Sequence, residues 1–203
     1  GLPEWMGQLA ALTSLNLSSC SSLTGLPESM GQLAALTSLD LSWCESLTVL
    51  PESMGQLAAL TSLQIHICNS LTVLPEWMGQ LAALTSLQIT GWWLTVLPES
   101  MGQLAALTSL SLSGCSSLTG LPHFIGHLQA LSNLGLQSCS SLSALPESMN
   151  QLHDWLELNV LFCNLIYPPQ PVADKGIKAV KAFFQACAKG TSMLQLDRLM
   201  LLG

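Results

Sequence analysis

Apolar positions along the chain recur with two alternating periods. In Ser14-Leu15-Asn16-Leu17-Ser18 they alternate with small polar residues, which predicts a short strand with Leu15 and Leu17 inward and Ser14, Asn16 and Ser18 in solvent. Further on, Met30, Leu33 and Leu36 recur at three-residue steps, which predicts a short or partial helix on the other side of the unit. Pro27 has no donor to lose at its start, and Glu28 suits its positive end. The whole phrase then repeats. Its prolines are Pro3, Pro27, Pro51, Pro75, Pro98, Pro122 and Pro146, 24 residues apart except for one 23-residue step between Pro75 and Pro98.

One such unit cannot bury its leucines, whereas stacked units can. The predicted core columns are Leu15, Leu39, Leu63, Leu87, Leu110, Leu134 and Leu158, with Leu17, Leu41, Ile65, Ile89, Leu112, Leu136 and Val160 beside them. Strands in register then form a parallel sheet, and the bulkier helical half makes the opposite side convex. At each strand exit stands a cysteine, Cys20, Cys44, Cys68, Cys115, Cys139 and Cys163, with Trp92 in that place in the fourth unit. This repeat resembles the leucine-rich-repeat family, whose consensus sets Asn or Cys there. The resemblance covers residues 1–167, about seven 24-residue repeats. It implies an α/β solenoid: a right-handed curved horseshoe with a parallel β-sheet on the concave face and short helices or turns on the convex face.

After Cys163 the prolines Pro168, Pro169 and Pro171 end the repeat register. Residues 168–190 read as a proline-led C-terminal cap. In it Val172 to Lys189 forms one amphipathic helix with Ile177, Val180, Phe184 and Cys187 on its apolar side, suited to cover the last repeat. The run Asn164…Pro168-Pro169…Lys175-Gly176…Ala179-Val180…Phe183-Phe184 resembles the exit segment of the repeats in Roco-type signalling proteins. In that family a Ras-like GTPase domain follows. The resemblance implies that residues 191–203, ending Leu199-Met200-Leu201-Leu202-Gly203, begin such a domain. A phosphate loop needs Gly-x4-Gly-Lys-Ser/Thr, and none of it lies within the chain beyond that first glycine. The Cys-x2-Leu-x2-Leu-Pro spacing also resembles plant disease-resistance repeats, which is the second choice of family context. Gly1 falls inside a repeat, so further repeats are expected before it.

Composition narrows the function. Residues 1–163 carry ten acidic residues and no Lys or Arg, and the five basic residues lie between Lys175 and Arg198. An acidic solenoid lacks the cations that phosphates need, so no nucleic-acid partner is expected. No apolar run reaches the length of a membrane span, so no membrane partner is expected either. One thiol per coil points to a reducing, cytoplasmic compartment and not to a disulfide scaffold. His123 and His127 lack a third ligand. No serine pairs with a histidine and an acid, and no cofactor or metal site is read. The chain is therefore expected to have no enzymatic activity itself.

Binding is the better reading. The concave candidates are Asn16, Asp40, Gln64, Gln88, Gln137 and Glu157. Departures from the consensus carry more information: Trp43, His66, Ile67, Thr90, Trp92 and Trp93 gather at the strand-exit edge of repeats two to four, and aromatic anchors mark recognition hot spots. The missing residue of repeat four lies after Trp92, and the indole of Trp92 or Trp93 is expected to project outward near Trp43 and Ile67. The expected function is a protein-interaction scaffold, the recognition domain of a larger intracellular signalling protein of Roco type. The alternatives are a structural or autoregulatory module packing on a neighbouring domain, and an immune-receptor-type recognition domain.

Overall fold

The computed structural model describes residues 1–190. Seven strands, β1 (Ser14–Asn16), β2 (Ser38–Asp40), β3 (Ser62–His66), β4 (Ser86–Thr90), β5 (Ser109–Ser111), β6 (Asn133–Gly135) and β7 (Glu157–Asn159), form one parallel sheet in sequence order. Each residue pairs with its counterpart one repeat away, as Leu39 pairs with Leu63 and Leu87 with Leu110. The coils stack into the repeat solenoid expected from the sequence. The central leucines Leu39, Leu63 and Leu87 are fully buried, whereas Leu15 and Leu158, in the first and last coils, are only partly so.

The helical half of each repeat is a five-residue 3-10 helix, such as Glu28–Gln32 or Glu52–Gln56. The proline before each helix is extended, and its carbonyl accepts the amide three residues on, as Pro27 accepts from Met30. Glycine in the Met-Gly pair lets coils touch: a Cβ on Gly31 would lie 2.3 Å from the Ser53 carbonyl oxygen. A glutamate at three of the helix starts ties coils together. Glu4, Glu28 and Glu76 accept the backbone amides of Ser29, Ser53 and Ser100 in the following coil.

Two side-chain ladders explain repeated polar residues. The hydroxyls of Thr37, Thr61, Thr85, Thr108 and Ser132 each donate to the threonine carbonyl one coil earlier, at 2.9–3.0 Å. The thiols of Cys44, Cys68, Cys115, Cys139 and Cys163 donate to the carbonyls of Leu17, Leu41, Ile89, Leu112 and Leu136 at 3.0–3.5 Å. Cys20, in the first described coil, is exposed, while the five cysteines that follow it in the repeats are buried.

The cap differs from the single helix expected. It consists of α1 (Gln170–Ala173) and α2 (Ile177–Ala188), separated by a turn over residues 174–176 whose last residue, Gly176, has a φ of 86° and leads into the second helix. Ile177, Val180, Phe183 and Phe184 are buried, and Cys187 is only partly so. The rings of Phe183 and Phe184 meet Tyr167 at 5.2 and 5.4 Å between centroids. Gln170 joins the cap to the last coil: its amide nitrogen donates to the Val160 carbonyl at 2.9 Å, and its oxygen accepts the Leu165 amide. Lys181 pairs with Asp154 and donates to the Leu152 carbonyl. The GTPase start read in residues 191–203 lies outside the described residues.

Candidate recognition surface

The outward row of the sheet is built by register. Asn16, Asp40, Gln64 and Gln88 stand side by side, continued by Ser111, Gly135 and Asn159. Short side chains in this row bond back to their own backbone. Asn16 accepts the Ser18 amide at 2.8 Å, Asp40 accepts the Ser42 amide at 2.8 Å, and Asn159 accepts the Leu161 amide at 3.2 Å. Such Asx turns compete with strand pairing. β1, β2 and β7, which end in Asn or Asp, are three residues long, as are β5 and β6, which end in Ser111 and Gly135, while β3 and β4, with Gln64 and Gln88 in the row, run on to His66 and Thr90. Two of the acceptors expected to face a partner, Asn16 and Asp40, thus already hold the turn.

Glu157 lies one row away and accepts from the Asn133 amide at 2.6 Å, and Gln137 accepts from Asn159 at 3.0 Å. Glu157, Asn133 and Asn159 border a shallow hollow of about 520 Å³ over β5–β7, where Gly135 leaves the sheet bare. They do not meet the strand-exit edge of repeats two to four.

That edge has an unusual backbone. The residue following each strand register falls in left-handed space: Ser19, Trp43, Ile67, Ser138 and Phe162, with Gly91 and Gly114 in the fourth and fifth coils. Serine and glycine suit that place. A tryptophan and a β-branched isoleucine do not, and such strain gathers at functional sites. Trp43 (φ 63°) is about half exposed, Ile67 (φ 53°) is partly exposed, and their amides donate to the His66 and Thr90 carbonyls. His66 Nδ1 meets the Thr90 hydroxyl at 3.1 Å. Trp92 is 59% exposed. The structure thus brings Trp43, His66, Ile67, Thr90 and Trp92 to one edge.

Trp93 is a correction. It is 8% exposed and belongs to the core, not to the edge. The fourth coil has lost one residue of its turn, so the chain turns inward one position later than elsewhere. Trp93, not Trp92, fills the interior beside Gly91, where a Cβ would stand 2.5 Å from the indole nitrogen. That nitrogen is buried without a hydrogen-bond partner. The extra ring volume takes up the space the deletion opened.

Sequence reasoning missed a second exposed row. Val49, Val73 and Val96 are 57–60% exposed, in the same three repeats. The signal was present: other repeats have Gly25, Gly120 or Ala144 at that place. At the far end Leu161, Phe162 and Ile166 are also exposed. The thiols are poor chemistry. Burial pushes Cys68 up to about 11, and Cys115 and Cys139 to about 12. Among the described residues no group of three or more His, Cys, Asp or Glu is placed to hold a metal, and no helix is long and apolar enough to cross a membrane.

Comparison with known proteins agrees with this geometry. The family model described as Leucine Rich Repeat matches residues 11–33, 35–57 and 106–128. The leucine-rich repeat domain of the type III effector XopL is similar at 28% identity over 80% of this chain and 64% of its own, with a TM-score of 0.60. A leucine-rich repeat protein of Leptospira interrogans is similar at 26% identity over 82% of this chain and 62% of its own, with a TM-score of 0.51. The chain thus spans less than two thirds of either. The structure of the Drosophila Toll–Spatzle complex shares the fold, at 18% identity over 82% of this chain and 22% of that one, with a TM-score of 0.64. No curated protein sequence matches.

Proposed function

For a chain that is leucine-rich-repeat in fold and in repeat, we propose a protein-recognition domain that binds through the strand-exit edge of its second to fourth coils. The observation that carries this reading is the pair Trp43 and Trp92, two indoles left in solvent within three successive coils, with Trp43 and Ile67 held in strained backbone. Next to them in the chain, Cys44 and Trp93 are the residues that enter the core. The test is capture of a partner from cells by wild type and by Trp43→Ala and Trp92→Ala, with melting temperature followed in parallel. Loss of the captured band at unchanged melting temperature supports the edge. Equal capture by all three proteins removes it.

The setting we propose is intracellular. Seven free cysteines, five of them buried within the repeats, support a reducing compartment. The Roco-type context rests on the likeness of residues 164–184 alone. A second reading, in which the solenoid restrains a neighbouring domain, is favoured by one observation: Phe162, 79% exposed and left-handed, stands with Leu161 and Ile166 at the last coil. Hydrogen exchange of the parent protein with and without its neighbouring domain tests it, with protection around Phe162 expected.

A further inference from the structure

The two exposed apolar rows of coils two to four coincide in a way that neither explains alone. Trp43 and Ile67, with Trp92 one residue past their place in the fourth coil, form the first row, and Val49, Val73 and Val96 the second. Between Trp43 and Val49 the chain turns Cys44 and Leu47 into the core and leaves Glu45 and Thr48 outside. Both rows therefore border one flank of the solenoid, with polar side chains along its floor. Backbone bonds from Trp43 to His66 and from Ile67 to Thr90, 2.6 and 2.9 Å, hold the first row at sheet spacing. Three coils then span about 10 Å, the reach of three or four residues of extended chain. Exposed valines add nothing to the core, and their confinement to the coils that carry the aromatic row marks the flank as one surface.

We propose that this flank takes an extended, basic segment of a partner protein, whose aliphatic side chains seat between the rows and whose Lys or Arg residues meet the indole faces and Glu45. The inference rests on the recognition reading above and adds the class of partner. Charge complementarity carries it. Residues 1–163 hold ten acidic residues and no Lys or Arg, so an incoming cation meets no like charge anywhere on the solenoid. Glu45 sits between the rows in coil two, and exposed indole faces attract ammonium and guanidinium groups. An acidic segment would meet repulsion along the same path.

The test uses the full chain and short labelled peptides in polarisation titrations. One alternates lysine and leucine, one glutamate and leucine, and one lysine and serine. The lysine–leucine peptide is expected to bind about tenfold more tightly than either control and to weaken with salt. Trp92→Ala, Val73→Ser and Glu45→Gln, at exposed sites that leave the circular dichroism unchanged, are each expected to weaken it severalfold. Equal binding of the glutamate–leucine peptide, still lost in Trp92→Ala, would overturn the basic partner while the edge stands. No binding by any leucine peptide, or binding indifferent to Trp43→Ala and Trp92→Ala, overturns both. Self-association through the flank, read as a concentration-dependent mass abolished by Val73→Ser, also overturns the partner assigned here.

Discussion

Replacing Trp93 by alanine removes the largest side chain inside the shortened fourth coil. A buried Trp→Ala change costs about 3–5 kcal/mol through lost transfer energy and the cavity left behind. Trp93 is 8% exposed, so nearly the whole penalty applies. One term opposes it: the indole nitrogen is buried without a partner, and deleting it relieves a desolvation cost of about 1–3 kcal/mol. The net expectation is a loss of about 2 kcal/mol. Trp93→Phe keeps most of the ring, drops the unpaired donor and is expected within about 1 kcal/mol of wild type. Trp92→Ala, at 59% exposure, is expected within about 0.5 kcal/mol. The assay is urea unfolding followed by circular dichroism on the four proteins. Coils are stabilised by their neighbours, so a weak fourth coil also lowers the slope of the transition in Trp93→Ala as the halves uncouple. If Trp92→Ala proves as costly as Trp93→Ala, or Trp93→Ala costs less than about 0.5 kcal/mol, the assignment of Trp93 to the interior is wrong.

Three further outcomes are expected. Thiol labelling of the native protein modifies Cys20 rapidly, while Cys44, Cys68, Cys115, Cys139 and Cys163 react only on unfolding; rapid native labelling of Cys115 refutes their inertness. Burial raises Cys68, Cys115 and Cys139 above their unfolded value of 9.0, so their contribution is whole below pH 9 and declines as pH rises toward about 11–12; an unfolding free energy flat across that window contradicts the shifts. In the cap, Phe184→Ala is expected to cost about 3–5 kcal/mol, and Gln170→Ala about 1–3 kcal/mol by stripping the Val160 carbonyl and the Leu165 amide of their partner; thermal melts indifferent to both would show that the cap does not stabilise the last coil.

The repeat register was legible in the sequence because every coil presents the same residue at the same place. A period of 24 with leucines at fixed offsets sets the sheet order, the pairing of Leu39 with Leu63, and the helical turn after each proline, and these depend on local pattern and stacking alone. The clustering of departures in coils two to four was legible for the same reason, since a consensus exposes its exceptions. What lay beyond the sequence depends on how a coil closes in space. Which of Trp92 and Trp93 turns inward follows from where a turn one residue short must re-enter the core. That Asn16 and Asp40 are held by their own backbone follows from the reach of a short side chain to the amide two residues on. The apolar periodicity of the cap runs through Gly176 without a signal, and only the turn over residues 174–176 separates α1 from α2. The valine row could be read as ordinary apolar residues until the stacking showed that its place in the coil points to solvent: periodicity counts apolar positions, while burial depends on what the neighbouring coil puts over them.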